Sequence, residues 1–299
     1  MIETKGLSKQ YGAFPALSNL NMQIRKGEVY GLLGPNGSGK TTTIRLLLGL
    51  LRPTSGWANV GGHDSWDQSL QVRNMVSYLP GELRLIGSMT GYGLLRFLCS
   101  LRGGEGLDRA VAISERIMKL DLRKKVRNYS TGMKQKLALA QAFADPVDIL
   151  ILDEPTSALD PSARTDVLGL VIEARRAGQT VIFSGHVLSE VEEIADRVAI
   201  MRQGQLMHVE DMRNRQGLRM LLVKYAGEPP RTFPDELMLT HKNRTGNVDL
   251  FEHRGAVGPL LGWLQRENVV DLAIGTEDLK SLYDQFHPSE AKDLGELSR

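Results

Sequence analysis

Glycines, a lysine and hydroxyl side chains occur together in the segment GPNGSGKT, residues 34–41. The segment fits the pattern G-x-x-x-x-G-K-[ST] in full, and it lies between a strand-like apolar run and a run with helical spacing. Glycines let backbone N–H groups turn toward phosphate oxygens, so the segment predicts a nucleotide site rather than a plain glycine turn. The predicted phosphate loop comprises Gly34, Pro35, Asn36, Gly37, Ser38, Gly39, Lys40, Thr41 and Thr42.

Within this loop, Lys40 is predicted to reach the β- and γ-phosphates, and the Thr41 hydroxyl to hold Mg²⁺. A second acidic segment, ILILDEP, ends a strand-like run with Asp153 and Glu154. A carboxylate has no packing reason to follow such a run, although a helix cap is an alternative. Beside a phosphate loop, we expect Asp153 to assist Mg²⁺ binding and Glu154 to polarise an attacking water.

A further phosphate-like pattern, NYSTGMKQK, covers residues 128–136. Hydroxyls and a glycine precede a helix-forming run there, and free N–H groups at a helix N-terminus attract anions. The segment also fits an N-capped structural helix without a ligand. One chain with one nucleotide has no evident use for two phosphate sites, and the residues of this segment alone do not explain the second one.

Composition excludes several classes of protein. Lys and Arg number 37 against 35 Asp and Glu, and no block of like charges appears, so we expect no nucleic-acid partner. One cysteine, Cys99, excludes an internal disulfide and predicts a buried thiol. The polar first residues resemble no signal peptide, and the longest apolar run is too short to cross a bilayer. We therefore expect a cytosolic chain that reaches a membrane only through a partner.

Apolar runs of strand length alternate with helical patterns up to about Val209, which predicts an α/β sheet covered on both faces. Predicted strands include GEVYGLLG, VDILILDEP and TVIFSGH, and RVAIMRQGQLMHV predicts a hairpin. KTTTIRLLLGLL predicts a helix that RPTSG terminates. Residues 83–145 are mainly helical in pattern and predict an insert in the α/β core.

The remaining residues, 216–299, predict a small α+β module. RMLLVKY, NVDLFEH and NVVDLAI alternate like half-buried strands, whereas AVGPLLGWLQRE and TEDLKSLYDQF have the spacing of short amphipathic helices. GEPPRTFPDE predicts a loop. The chain shows no internal repeat.

The four segments GPNGSGKTT, YSTGMKQ, LDEPTSALD and FSGHVLSEVE occur in the order and spacing of the nucleotide-binding subunits of ABC transporters. The resemblance covers residues 1–215. It implies a P-loop ATPase core with a β-rich subdomain and a helical insert, and ATP with Mg²⁺ as cofactors. In this family two such domains pack head to tail, and the signature motif of one closes over the ATP of the other. The resemblance therefore implies that Ser130, Thr131 and Gly132 contact the γ-phosphate bound to a second subunit.

Further roles follow from the resemblance alone. Tyr11, in KQYGAF, matches the aromatic residue that stacks on adenine. Asp160, in SALDP, resembles the residue that links the two sites across the dimer, and His186 matches the switch histidine that contacts the γ-phosphate. The signature departs from LSGGQ, because Tyr129, Thr131 and Met133 replace leucine, glycine and glutamine; similar variants pair with separately encoded exporter-type permeases.

The segment SYLPGELR departs from the family pattern in a functional position. The family places glutamine or glutamate directly after the proline, where it reaches Mg²⁺ and couples to the membrane subunit. Gly81 occupies that position here, and Glu82 follows one residue late. Either the loop shifts so that Glu82 serves as the metal-site residue, or a water stays on Mg²⁺ there.

The resemblance implies an ATP-hydrolysing subunit that drives a separate integral-membrane permease, in export, from the cytoplasmic face of the membrane. A second ATP-binding subunit, identical or homologous, is the other expected partner. A soluble ABC ATPase outside transport is the alternative, although this chain lacks the paired cassettes or coiled coils typical of those proteins. A P-loop kinase would not need the later motifs.

Overall fold

The computed structural model describes residues 1–145, 147–215, 218–275 and 283. The chain divides into two compact units, Met1–Glu210 and Asp211–Arg299. The strands of the first unit are β1 (Ile2–Tyr11), β2 (Phe14–Ile24), β3 (Val29–Leu33), β4 (Ser55–Val60), β5 (His63–Asp64), β6 (Val76–Leu79), β7 (Ile149–Asp153), β8 (Thr180–Gly185), β9 (Arg197–Arg202) and β10 (Gln205–Asp211). Its α-helices are α1 (Lys40–Leu47), α2 (Ser69–Asn74), α3 (Gly91–Ser100), α4 (Leu107–Ala112), α5 (Thr131–Ala142), α6 (Pro161–Arg176) and α7 (Leu188–Ile194).

A six-stranded sheet with the order β10-β9-β3-β8-β7-β6 forms the centre of the first unit. Neighbouring strands from β9 to β6 pair in parallel. Every residue of β3, β7 and β8 is buried, as expected for strands with both faces covered. The predicted α/β core is therefore confirmed, and its site-bearing strands end at the same edge of the sheet.

A second sheet, β2-β1-β4-β5, is antiparallel. The residue pattern alone did not predict these strands, whereas the resemblance implied a β-rich subdomain. Leu7 and Leu17 of this sheet share one hydrophobic cluster with Leu32 of β3 and Ile44 of α1. The shared cluster positions the hairpin of β1 and β2 relative to the phosphate loop.

The end of α1 differs from the prediction. The helix ends at Leu47, before RPTSG, because Gly49 adopts a left-handed φ of 63°. Its N–H donates to the Leu46 carbonyl at 3.1 Å, which is the usual geometry of a glycine after a helix. A Cβ at Gly49 would lie 2.2 Å from the Ser65 carbonyl oxygen, so only glycine fits this turn.

The predicted helical insert contains α3, α4 and α5, with a π-helical turn at Ile113–Ile117 and a 3₁₀ turn at Val126–Asn128. Within residues 83–145, which the structure describes in full, the β-pairing consists of one isolated antiparallel bridge between Thr90 and Lys125. Cys99 is buried as predicted, and burial, with the nearby Asp145 carboxylate, raises the pKa of its thiol.

The second unit contains β11 (Arg219–Tyr225), β12 (Leu239–Thr245), β13 (Val248–His253), α8 (Val257–Leu264) and β14 (Val269–Gly275). They form an antiparallel sheet with the order β12-β13-β11-β14. The prediction missed β12, whose sequence LTHKNRT is polar and almost wholly exposed. The helix predicted at residues 276–286 lies outside the described residues, apart from Tyr283.

The side chain of Asp249 is fully buried in this unit. Arg244 donates to both of its carboxylate oxygens at 2.6 and 2.7 Å, and His241 Nε2 lies 2.9 Å from Oδ1. Burial acts to raise the pKa of Asp249, but the Arg244 and His241 hydrogen bonds outweigh it and lower that pKa below its usual range. The folded unit therefore favours ionised Asp249.

We predict that this network makes the second unit sensitive to acid. A lowered folded-state pKa contributes stability above the unfolded pKa of about 3.9, and this contribution is lost as pH falls through the folded value. Trp263 packs in the core of this unit and can report its unfolding when Trp57 and Trp66 are replaced by Phe. Urea midpoints should fall more steeply below about pH 5 in that background than in the same protein with Asp249→Asn. Parallel curves would contradict the assignment.

Candidate functional site

The predicted phosphate loop connects β3 to α1. Gly37 and Gly39 have left-handed φ angles of 80° and 105°, which suit glycine. A Cβ at Gly34 would lie 2.4 Å from the Met201 carbonyl oxygen of β9, so the backbone passes the neighbouring strand too closely for any side chain. These glycines give the loop its tight path onto the helix N-terminus.

Lys40 is buried at the start of α1, and its ammonium points back into the loop. Nζ donates to the carbonyl oxygens of Gly34 and Pro35 at 2.6 and 3.2 Å, and it lies 3.5 Å from Glu154 Oε1. A pocket of about 250 Å³ opens here. Its lining consists of the loop residues Asn36, Gly37, Gly39, Lys40, Thr41 and Thr42, together with Tyr11, Phe14, Ala16 and Glu154. The loop and the predicted catalytic carboxylate thus share one site.

Asp153 ends β7 and is buried. Its Oδ1 accepts a hydrogen bond of 2.6 Å from the Ser184 hydroxyl, while the buried Oδ2 has no protein hydrogen-bond partner among the described residues. A buried carboxylate oxygen without a donor fits a hard cation such as Mg²⁺. The described residues contain no group of three or more His, Cys, Asp or Glu that could hold a metal. A cation at Asp153 would therefore need ligands from a hydroxyl such as Thr41, phosphate oxygens or water.

Glu154 follows Asp153 in a left-handed backbone conformation, with φ of 49°. Its N–H donates to the Ser184 hydroxyl at 3.0 Å, and its Oε2 lies 3.8 Å from His186 Nδ1. The structure thus brings three predicted residues together: Lys40, Glu154 and His186. Residue patterns did not single out Ser184, although a hydroxyl at the end of the apolar run TVIF was a usable signal.

The YSTGMKQ residues lie at the N-terminus of α5 and do not line this pocket. Ser130 caps the helix, because its hydroxyl accepts a 3.2 Å hydrogen bond from the Met133 N–H. Ser130 and Thr131 are exposed, whereas the Tyr129 side chain is buried and donates to the Asp121 carbonyl at 2.9 Å. Both hydroxyl-bearing residues of this segment therefore lie at the surface of the chain, outside the phosphate pocket.

Two residues of α5 connect this helix to the turn that carries Glu154. The buried Gln135 side chain donates to the Pro155 carbonyl at 2.9 Å. Lys136 lies 3.3 Å from Asp160 Oδ2, and Asp160 caps α6 by accepting from the Ala163 N–H at 3.0 Å. The Ala163 hydrogen bond, followed by that of Lys136, lowers the pKa of Asp160.

Tyr11 lies at the tip of the β1–β2 hairpin, with 48% of its surface exposed. The Lys9 ammonium is 5.1 Å from the centroid of its ring. Phe14 pairs with Tyr11 across the hairpin and lines the same pocket, and it is the more exposed of the two. The pocket therefore offers two aromatic rings where the prediction named one.

Comparison with known proteins identifies the family. The model of the family described as ABC transporter matches residues 17–157. The bacitracin transport ATP-binding protein BcrA of Bacillus licheniformis is 32% identical over 309 aligned positions, which cover 96% of each protein. The linearmycin resistance ATP-binding protein LnrL of Bacillus subtilis is 32% identical over 70% of this chain and 68% of its own length. A solved ATP-binding subunit of an ABC transporter has a TM-score of 0.66 at 28% identity, over 72% of this chain and 92% of that chain.

This chain belongs to the ABC transporter family. It is an ATP-hydrolysing subunit of an ABC transporter, and the P-loop ATPase fold implied by the motifs is confirmed. No helix among the described residues is both long and apolar enough to cross a bilayer.

The family's glutamine position is close to the predicted metal site. A Cβ built at Gly81 would lie 3.6 Å from Asp153 Oδ2, the buried oxygen without a protein donor. Glu82 is exposed and does not line the phosphate pocket. In this structure, position 81 rather than position 82 faces Asp153, and a role for Glu82 at the metal stays a prediction.

We predict that Gly81→Gln is tolerated and raises basal ATP hydrolysis, because the Cβ of the new side chain would lie 3.6 Å from Asp153 Oδ2. Glu82→Ala should lower permease-stimulated hydrolysis and spare ATP binding if the loop moves to use Glu82. Steady-state hydrolysis with and without membranes and direct ATP binding measure both effects. Arg84→Ala, in the same exposed loop, is the matched control. Normal stimulation of Glu82→Ala would show that this subunit couples without a carboxylate at position 82.

Proposed function

We propose that ATP is bound and hydrolysed in the pocket between the phosphate loop and Glu154, and that this drives a separate integral-membrane permease in export. The convergence of Lys40, Glu154 and His186, three residues distant in sequence, is the observation that carries the proposal. The ATP-binding domain would comprise residues 1–215, with 216–299 as an accessory module.

Each side chain has a proposed task in the reaction. Lys40 and the loop N–H groups neutralise the phosphates. Thr41 and Asp153 would hold Mg²⁺, which neutralises charge that develops on the transferred phosphoryl group. Glu154 would orient and polarise the attacking water, and His186, 3.8 Å from Glu154, would contact the γ-phosphate. Tyr11 stacks on adenine, with Phe14 beside it.

A second ATP-binding subunit completes the site. Ser130, Thr131 and Gly132 lie outside the chain's own pocket, and the exposed N-terminus of α5 provides unpaired N–H groups and a helix dipole for an anion. In a head-to-tail dimer these residues would cover the γ-phosphate on the partner's phosphate loop. The partner is another copy of this chain or a homologous subunit.

The names of two relatives support a permease partner and transport out of the cell. BcrA is named for bacitracin transport and LnrL for linearmycin resistance, and both are ATP-binding proteins. Transport in one name and resistance in the other are consistent with export, and we place this subunit peripherally at the cytoplasmic face of the membrane. Co-purification of an integral-membrane protein with the tagged chain from detergent extracts tests this. Recovery of the tagged chain without any membrane protein would favour an ABC ATPase outside transport.

We predict that Glu154→Gln retains ATP binding and lowers turnover by roughly 10²–10³-fold, or about 3–4 kcal/mol of transition-state stabilisation. The amide keeps the shape of the side chain but cannot act as a base. Turnover and ATP affinity are measured on the same preparation, with Glu193→Gln, at an exposed position of α7, as the control. Near-normal hydrolysis by Glu154→Gln would refute the assignment.

We also predict that the α5 signature acts in trans. Ser130→Asp keeps a helix-capping side chain but places a negative charge toward the phosphate, whereas Ser130→Asn keeps the cap without the charge. Gly132 is less suitable, since a Cβ there would lie 2.9 Å from the Ala158 carbonyl oxygen of the chain's own turn. Ser130→Asp should therefore inhibit hydrolysis more than Ser130→Asn.

Mixed dimers separate trans from cis action. A dimer of one Lys40→Ala subunit and one Ser130→Asp subunit carries both lesions at one composite site, so the other site stays intact and activity should exceed that of either mutant homodimer. The control dimer pairs wild type with the Lys40→Ala/Ser130→Asp double mutant, and there each composite site has one lesion. Activity in the control but not in the first dimer would establish cis action.

A further inference from the structure

The Ser184 hydroxyl contacts both acidic residues of the site. Ser184 ends the apolar part of β8, pairs in register with Asp153 of β7, and is fully buried. Its O–H donates to Asp153 Oδ1 at 2.6 Å, and the same oxygen accepts the Glu154 N–H at 3.0 Å. One hydroxyl therefore satisfies one group on each of two consecutive residues.

The Glu154 backbone needs such support. Its φ of 49° is left-handed, a region that glutamate seldom adopts and that persists only where neighbouring contacts enforce it. Hydrogen bonds hold the backbone on both sides of this conformation. The Glu154 N–H donates to the Ser184 hydroxyl, and the Gln135 side chain donates to the carbonyl of the next residue, Pro155. The reversal of the chain directs Glu154 toward Lys40 and His186.

The same hydroxyl sets the direction of Asp153. Because Oδ1 is hydrogen-bonded to Ser184, Oδ2 is the oxygen left without a protein donor, and it faces Gly81. The two adjacent carboxylates thus point in different directions: Asp153 toward the proposed metal position, and Glu154 toward the proposed position of the water.

We propose that Ser184 is the positioning residue that separates these two carboxylates, by holding Asp153 Oδ1 and the Glu154 N–H at once. The inference rests on the roles proposed above for Asp153 and Glu154. Ser184 itself touches no reacting atom; it acts by fixing the orientation of the groups that do. Loss of its hydroxyl should therefore lower kcat far more than it weakens ATP binding.

Thr4 is a matched control elsewhere in the first unit. Its buried hydroxyl donates to the Leu20 carbonyl at 3.0 Å and accepts the Met22 N–H at 2.9 Å, so it also bridges two groups. These contacts join β1 to β2, and none of the three residues is placed in the site. Thr4→Val and Ser184→Ala each remove one buried hydroxyl that makes two hydrogen bonds, with little change in side-chain shape.

The experiment compares wild type, Ser184→Ala and Thr4→Val as full-length proteins. We expect Ser184→Ala to lower kcat about tenfold or more, with KM for ATP changed less than threefold. Thr4→Val should retain kcat. Hydrogen–deuterium exchange without nucleotide provides a readout independent of activity. The Glu154 backbone N–H should exchange faster in Ser184→Ala than in wild type, and its exchange rate should be unchanged in Thr4→Val.

The results distinguish a positioning role of Ser184 from a general effect of removing a buried hydroxyl. Full kcat in Ser184→Ala, or an unchanged Glu154 amide, would overturn the positioning role. An equal loss of kcat in Thr4→Val would also overturn it, since the effect would then be general to lost hydroxyls. Glu154→Gln, measured in parallel, separates this inference from the proposed function: activity of Glu154→Gln refutes the catalytic assignment, whereas inactivity of Glu154→Gln with full kcat in Ser184→Ala refutes the role of Ser184 alone.

Discussion

Parallel pairing of β7 with β8 in the buried sheet is the interaction on which the site depends. It places the carboxyl ends of two strands side by side, so that Asp153 and Glu154 from one meet Ser184 and His186 from the other. Pairing of β3 with β8 brings the phosphate loop to the same edge. Because parallel strands must be connected through helices, residues more than a hundred positions apart become neighbours only when the sheet is complete.

The turn after β7 also connects the site to α5. Gln135 contacts the Pro155 carbonyl, and Lys136 contacts Asp160, so the helix that carries the signature residues is bonded to the turn that carries Glu154. In the proposed dimer, Ser130 would contact the partner's phosphate, and Gln135 of the same helix contacts the residue that follows Glu154, the proposed catalytic carboxylate of this chain. Such a connection gives the two composite sites a physical route for coupling.

Asp153 illustrates how a departure from the family pattern can be accommodated. Glycine at position 81 leaves space beside Asp153 Oδ2, a buried carboxylate oxygen without a hydrogen-bond donor among the described residues. A water on the metal can occupy such a space, since Mg²⁺ keeps several waters in most protein sites. The exposed position of Glu82 agrees with this arrangement more readily than with direct ligation by the side chain.

The buried strands β3, β7 and β8 and the phosphate loop could be predicted from residue patterns, because continuous apolar runs and glycine spacing are local properties of the chain. Those patterns did not determine the polar edge strand β12, whose pairing depends on β13, or the end of α1, where the Ser65 carbonyl leaves space only for Gly49. The left-handed backbone conformation of Glu154 and its hydrogen bond to Ser184 could be recognised only in the folded structure. Both depend on contacts between β7 and β8, and spacing within either segment carries no information about a hydrogen bond that forms only after the strands pair.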